Sequence, residues 1–185
     1  MTPEQAIIAV LEEVEAARAE YLIVGALAYG AWGIPRSTKD ADFVLALPGL
    51  EADAILRRLP AEFSIDPQAR MELFTGTLRW VLHIAGTPFE IETFLLGNDP
   101  HHHEMFRRKR RERIAMIDRE AWIPTAEDLV IQKLRWARRK DLDDAQNILA
   151  VQGDAIDYAH IEMWCARHGT LERLAEVRAG IPPGL

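Results

Sequence analysis

Early in the chain two aspartates stand two residues apart inside an apolar run, Lys39-Asp40-Ala41-Asp42-Phe43-Val44, and that spacing limits what the segment can become. In an extended strand alternate side chains project from opposite faces, so both carboxylates share one face while Ala41 and Phe43 enter a core from the other. One face is therefore acidic and one is packed. Two like charges this close repel unless a proton or a cation lies between them, and hard carboxylate oxygens suit Mg²⁺ or Mn²⁺. A divalent ion at Asp40 and Asp42 is the economical expectation.

The rest of the chain reads as an alternation of helices and strands. Thr2 with Pro3 next and Gln5 three residues on predicts a helix start, and Ile7, Val10, Leu11 and Val14 follow at helical spacing. Tyr21 to Val24 reads as a strand that stops at Gly25, with a brief helix from Leu27 to Trp32 ending at Gly33. The strand carrying the aspartates runs to Leu47, and Gly49 to Leu59 has helical character. The β-type runs Leu78 to Ile84 and Phe89 to Leu96 flank Ala85-Gly86-Thr87-Pro88 and predict an antiparallel hairpin. From Pro124 the pattern turns helical: Thr125 and Asp128 resemble a capping box before the apolar stripe Leu129, Val130, Leu134 and Ala137. Further helices are expected at Asp141 to Ala150, Ala155 to Arg167 and Leu171 to Ala179, with residues 181 to 185 as a loose tail.

Composition bounds the function classes. A chain of 185 residues accommodates one core and a small appendage, and 49% hydrophobic with 28% charged residues is ordinary for a globular protein. Cys165, the single cysteine, has no internal partner, and the acidic N-terminus lacks the basic residues and long apolar run of a signal peptide, so a reducing cytoplasmic setting is expected. No segment approaches the roughly 20 apolar residues that span a bilayer. A net charge of -7 excludes a wholly basic nucleic-acid surface and leaves one candidate patch, Arg107-Arg108-Lys109-Arg110-Arg111 with Arg113. Such a run is ordinarily a solvated helix face; its alternative is a border of the acidic cleft that meets acceptor phosphates.

Residues around the aspartates add context. Upstream, Val24-Gly25-Ala26 ends a strand on a glycine, which lets backbone amides approach a phosphate at a helix start, and Arg36 precedes the acids with a guanidinium suited to phosphate oxygens.

The stretch Ile23-Val24-Gly25-Ala26-Leu27-Ala28, followed by Gly33-Ile34-Pro35-Arg36-Ser37-Thr38-Lys39-Asp40-Ala41-Asp42, resembles the nucleotidyltransferase superfamily, and within it the AbiEii-like group of abortive-infection and toxin-type proteins. A distant second segment, Thr125 to Leu134 with Lys140-Asp141 and Asp144, is similar to the helical pattern that follows the catalytic core in that group. The resemblance implies an α/β (α+β) fold: a mixed β-sheet core flanked by helices over residues 1–122, and a C-terminal helical part over 123–185. It implies that Asp40 and Asp42 are catalytic metal ligands, joined by a third carboxylate from Phe89-Glu90-Ile91-Glu92-Thr93-Phe94. Glu92 falls where the family usually has aspartate, and Glu90, one pleat away on the same face, is the reserve. The three acids are expected to converge within one metal-binding radius, with Asp40 and Asp42 holding two divalent ions and Glu92 completing the one that activates the nucleophile. Gly25, Ala26, Arg36, Thr38 and Lys133 become the nucleotide-binding candidates, although Ala26 lacks the hydroxyl of a serine often found there.

The activity implied is Mg²⁺- or Mn²⁺-dependent transfer of a nucleoside monophosphate from a nucleoside triphosphate to an acceptor such as RNA, tRNA or a protein hydroxyl, in a toxin component with an antitoxin partner and no membrane. Alternatives are a non-catalytic binding protein of the same fold and a small-molecule, aminoglycoside-type nucleotidyltransferase. Lys133 and Asp144 read equally well as a structural ion pair, and Asp141 as a helix cap. His101-His102-His103 follows the loop signature Asn98-Asp99-Pro100, and consecutive side chains point different ways, which argues against zinc. The scattered tryptophans Trp32, Trp80, Trp122, Trp136 and Trp164 read as packing residues.

Overall fold

Thr2 starts the first helix as its sequence requires: its hydroxyl accepts from the Gln5 amide at 3.3 Å and its own amide donates to the Gln5 side chain at 2.9 Å. In the computed structural model, which describes residues 1–66, 70–72 and 76–182, this helix is α1 (Pro3–Ala16). It buries Ala6, Ile7, Val10, Leu11 and Val14. The order continues β1 (Tyr21–Val24), α2 (Gly25–Trp32), β2 (Asp40–Leu45), α3 (Gly49–Leu56), β3 (Phe63–Ile65), β4 (Arg70–Glu72), β5 (Thr77–Ile84) and β6 (Glu90–Leu95). Then come α4 (Pro100–Arg108), β7 (Arg110–Ile114), β8 (Arg119–Ile123), α5 (Ala126–Trp136), α6 (Arg139–Gln152), α7 (Tyr158–His168) and α8 (Leu171–Ala179).

Six of these strands form one mixed sheet in the order β1-β2-β6-β5-β3, with β4 also pairing along β5. β5 and β6 form the expected antiparallel hairpin, and β2 lies parallel to β6 and antiparallel to β1. Register fixes the site: Asp40 lies opposite Glu90 and Asp42 opposite Glu92. The strand period then sorts the faces. Ala41, Phe43, Leu45 and Ile91 are buried in the main core, while Asp40, Asp42 and Glu92 share the other face. On that second face α4 covers only the apolar end, where Met105 and Phe106 pack on Leu22 with Val24 and Val44, leaving the acidic end open.

The sequence expectations for α4 and β7 are corrected. Asn98 and Asp99 lie in the connection from β6 to α4 as expected, but the segment also starts a helix: Asp99 caps α4 by accepting from the amides of His101 and His102 at 2.8 and 3.3 Å, and Pro100 sits in the first turn. The basic run is not one helix face either, because only Arg107 and Arg108 belong to α4 and Arg110 to Arg113 lie in β7. Asp141 is not a cap but sits inside α6. The final part of the predicted tail, 183–185, lies outside the described residues. Among the described residues no helix is long and apolar enough to cross a membrane.

Helices α5 to α8 share the main core with the sheet, through Leu129, Ile131, Leu134, Ile148, Trp164 and Leu174 among others. Ile91 has no exposed surface at the centre of that core, whereas Leu171 is 46% exposed. Ile91→Ala is expected to lower unfolding free energy by about 2–5 kcal/mol and Leu171→Ala by less than about 0.5 kcal/mol, read by denaturant melts of both variants.

Candidate active site

The centre of the site is a contact between β1 and β2. β1 ends at Gly25, whose φ of +63° is a conformation side-chain-bearing residues rarely adopt. A Cβ on Gly25 would stand 2.0 Å from Asp42 Oδ2, so the carboxylate rests where any other residue's side chain would begin. Val24 and Asp42 are partners in the strand register, which is why the turn into α2 falls against this carboxylate. Thr38 orients the neighbouring acid, its hydroxyl donating to Asp40 Oδ1 at 2.7 Å.

Gly25, Asp40 and Asp42, but not the nucleotide-binding candidate Thr38, line a cavity of about 330 Å³ with Ala26, Arg36, Arg79, Glu92, Phe94, Lys133, Trp136, Arg138 and Lys140. Burial, followed by repulsion from Asp40 and then Glu92, pushes the Asp42 carboxyl up to about 7. Burial also raises Glu92, opposed by Arg79, whose Nη1 donates to both carboxylate oxygens at 3.1 and 3.0 Å. Glu90, the reserve candidate, lies half exposed with its carboxylate 3.1 Å from His83.

The expected convergence of three acids within one metal-binding radius is not what the side chains form. Asp40, Asp42 and Glu92 line the same cavity, yet among the described residues no three His, Cys, Asp or Glu side chains are grouped to hold a metal. Arg79 engages Glu92 instead. The aspartate pair by itself fits a hard divalent ion, since its oxygens face an open cavity and repel one another in the absence of a cation.

The basic candidates also find partners. Lys133 is buried, donating to Asp141 at 3.2 Å and Asp144 at 2.6 Å, and Arg36 grips Asp144 with two bonds of 3.0 Å. Arg138 donates to Asp141 at 2.6 Å and lies over Trp136. Asp144 is held below the usual carboxylate range: burial works to raise it, but the hydrogen bonds from Arg36 and Lys133 prevail. The structural pairing of Lys133 with Asp144 is therefore present even though Lys133 also borders the cavity. Lys140 differs, because among the described residues it lines the cavity with no acid at ion-pair distance, and its charge acts to lower Asp42.

Sequence reasoning missed Arg79, Phe94, Trp136, Arg138 and Lys140. Lys140 stood beside Asp141 in the second motif, which was a usable signal; Arg79 carried none. The basic run lines no part of the cavity. Arg107 pairs with Glu104, Arg108 with Glu127 and Asp128, Lys109 with Glu20, Arg111 with Glu120 and Arg113 with Asp118. The three histidines diverge: His101 meets Asp128 at 3.3 Å, His102 meets Gln132 at 2.9 Å, and His103 is exposed.

A mixed sheet bearing an Asp-x-Asp strand beside a glycine turn, backed by a helical C-terminal part, defines the nucleotidyltransferase fold, and solved structures bear this out. The antibiotic-resistance factor ANT(2'')-Ia matches with a TM-score of 0.60 and 15% identity over 94% of this chain and 96% of that one, and it has also been solved with adenylyl-2''-tobramycin. The lincosamide antibiotic adenylyltransferase LnuA matches at 0.55, with 10% identity over 81% of this chain and 98% of its own. An antigenic nucleotidyltransferase-like protein from Paracoccidioides brasiliensis matches at 0.53, with 14% identity over 94% and 93%. No family model and no curated protein matches the sequence.

Two expectations follow from the geometry. Because the folded protein holds the Asp42 proton up to about pH 7 while the unfolded chain releases it near 3.8, the contribution of Asp42 to metal-free stability falls as pH rises from 4 to 7, against the opposite contributions of His102 and His168, which burial lowers to about 4. Asp42→Asn should flatten that fall and melt above metal-free wild type at pH 8, by up to about 4 kcal/mol, in a pH series of thermal melts. A variant that melts below wild type would make Asp42 a structural acceptor. Gly25→Ala should displace the Asp42 side chain and cost about 1–3 kcal/mol in the same assay.

Proposed function

We propose that this chain is a metal-dependent nucleotidyltransferase that moves a nucleoside monophosphate from a nucleoside triphosphate to an acceptor hydroxyl. The observation that carries the reading is the Asp42 carboxylate seated against Gly25, with Asp40 and Glu92 in the same cavity. A positive-φ glycine opening a helix brings backbone amides up to a phosphate, and the acids beside it hold a cation that the phosphates share. A divalent ion held by Asp40 and Asp42 would supply Lewis-acid stabilisation of charge on the phosphoryl oxygens.

The chain's own groups divide the remaining work. Gly25 and Ala26 present backbone to the triphosphate, and Lys140 supplies a charge not already committed to an acid. Arg36 and Lys133 act chiefly by fixing α6 and the β1–β2 connection around the cavity, since both are bonded to Asp144. Glu92 would complete the metal site beside the acceptor hydroxyl, whose oxygen bonds to the α-phosphorus as its proton passes to solvent and the bond to pyrophosphate breaks. Membership of the AbiEii-like group, with a cytoplasmic toxin role and an antitoxin partner, rests on the two sequence motifs.

For the acceptor, a small molecule is the reading with a specific observation behind it. The Arg107–Arg113 run, the candidate for meeting RNA phosphates, lines no part of the cavity, and five of its six cations pair with acids. RNA or a protein hydroxyl remains the alternative acceptor, and nucleotide binding without turnover the alternative function. The test is to incubate the protein with each labelled nucleoside triphosphate, Mg²⁺ or Mn²⁺, and in turn an aminoglycoside and lincosamide panel, total RNA and the protein alone. Label is expected on a small acceptor, reduced by about 10²-fold or more in Asp40→Asn. Label on RNA or on a protein would reassign the acceptor, and binding without transfer to any of them would make the protein a non-catalytic member of the fold.

A further inference from the structure

We propose that Arg79 is a positioning residue that withholds Glu92 from the metal in the free protein and releases it by moving onto the phosphates of bound nucleotide. The inference rests on the nucleotidyltransferase reading and adds to it an order of assembly: the third carboxylate joins the site only when a polyphosphate is present.

The placement comes from strand register. On the β5–β6 hairpin Val81 stands opposite Glu92 and Arg79 opposite Phe94, so Arg79 is the diagonal neighbour of Glu92 on the same face. The pair is 25% and 22% exposed, and both residues line the cavity with Asp40 and Asp42. The guanidinium lies 5.9 Å from the centre of the Phe94 ring.

Two features separate Arg79 from the other acid-paired cations of the cavity. Arg36, Lys133 and Arg138 are bonded to Asp141 and Asp144, acids that do not line the cavity and have no competing claim on them. The acid partner of Arg79 is instead a group that a cation at Asp40 and Asp42 would itself attract. Arg79 is also under-used: a single nitrogen reaches both oxygens of Glu92, while Nε is buried with no hydrogen-bond partner among the described residues. A buried donor without an acceptor is costly, and a guanidinium fork matches phosphate oxygens better than one nitrogen shared by two carboxylate oxygens. Exchange of Glu92 for a phosphate satisfies the idle donor and frees the carboxylate in one step.

The test is Mn²⁺ binding to the whole chain by titration calorimetry, alone and with α,β-methylene-ATP. Wild type is expected to bind Mn²⁺ weakly alone and more tightly with the analogue. Arg79→Met should raise affinity for Mn²⁺ alone about tenfold and weaken the metal-free analogue by a similar factor. Arg79→Lys, which keeps the charge in a point-donor form, should show a smaller gain, and adding Glu92→Gln to Arg79→Met should remove it. Wild type that binds analogue and Mn²⁺ normally, beside Arg79 variants whose affinity for Mn²⁺ alone is unchanged or reduced, overturns the exchange and leaves the nucleotidyltransferase reading standing. Failure of wild type to bind the analogue under any condition overturns both.

Discussion

The Asp42 carboxylate, held against the Cα of Gly25, is the contact on which the rest of the site depends. It requires β1 to end in a left-handed glycine, places the start of α2 beside the acid, and leaves one acidic strand face free of helix. Its cost is visible in the neighbouring charges: burial, Asp40 and Glu92 all disfavour the ionised form, Lys133 and Lys140 offset them in part, and a bound cation or a proton relieves the rest. A protein gains no stability from this arrangement. Such clusters persist where the charge is used.

A second set of interactions holds the helical part in place around that centre. Lys133, Asp141 and Asp144 are buried together, and Arg36, from the segment leading into β2, closes on Asp144 across 108 positions of sequence. Buried ion pairs of this kind contribute little net stability but tolerate loss of one partner poorly, so they fix geometry more than they add to folding free energy. Asn147 donating to the Tyr29 hydroxyl at 3.3 Å and Gln152 donating to the Trp32 carbonyl at 2.8 Å tie α6 to α2 in the same way. The cavity is thereby walled by the sheet on one side and by the α5–α6 junction on the other.

Much of this was legible in sequence because the strand period is unambiguous. Asp40 and Asp42 on one face, Ala41 and Phe43 on the other, and Glu92 on a strand with the same alternation all follow from a repeat of two. What failed had two physical sources. Asp99-Pro100 serves equally as a turn and as a helix cap with its first residue, and only the packing of Met105 and Phe106 on Leu22 selects the helix. Charge partners are the other source: Arg36 and Lys133 resemble phosphate ligands until Asp144 is brought between them, and Arg79 is an ordinary strand arginine until the hairpin register sets it beside Glu92. The basic run misled for the same reason, since Glu20, Glu127 and Asp128, which pair with Lys109 and Arg108, come from distant parts of the chain.

Whether the acidic face opposite the core is a metal and triphosphate site is read by anomalous diffraction from crystals grown with Mn²⁺ and a non-hydrolysable nucleoside triphosphate. Manganese is expected on the carboxylates of Asp40 and Asp42, with the phosphates against the Gly25–Ala26 backbone. Nucleotide bound elsewhere, or bound in this cavity with manganese in contact with neither aspartate, would contradict that assignment.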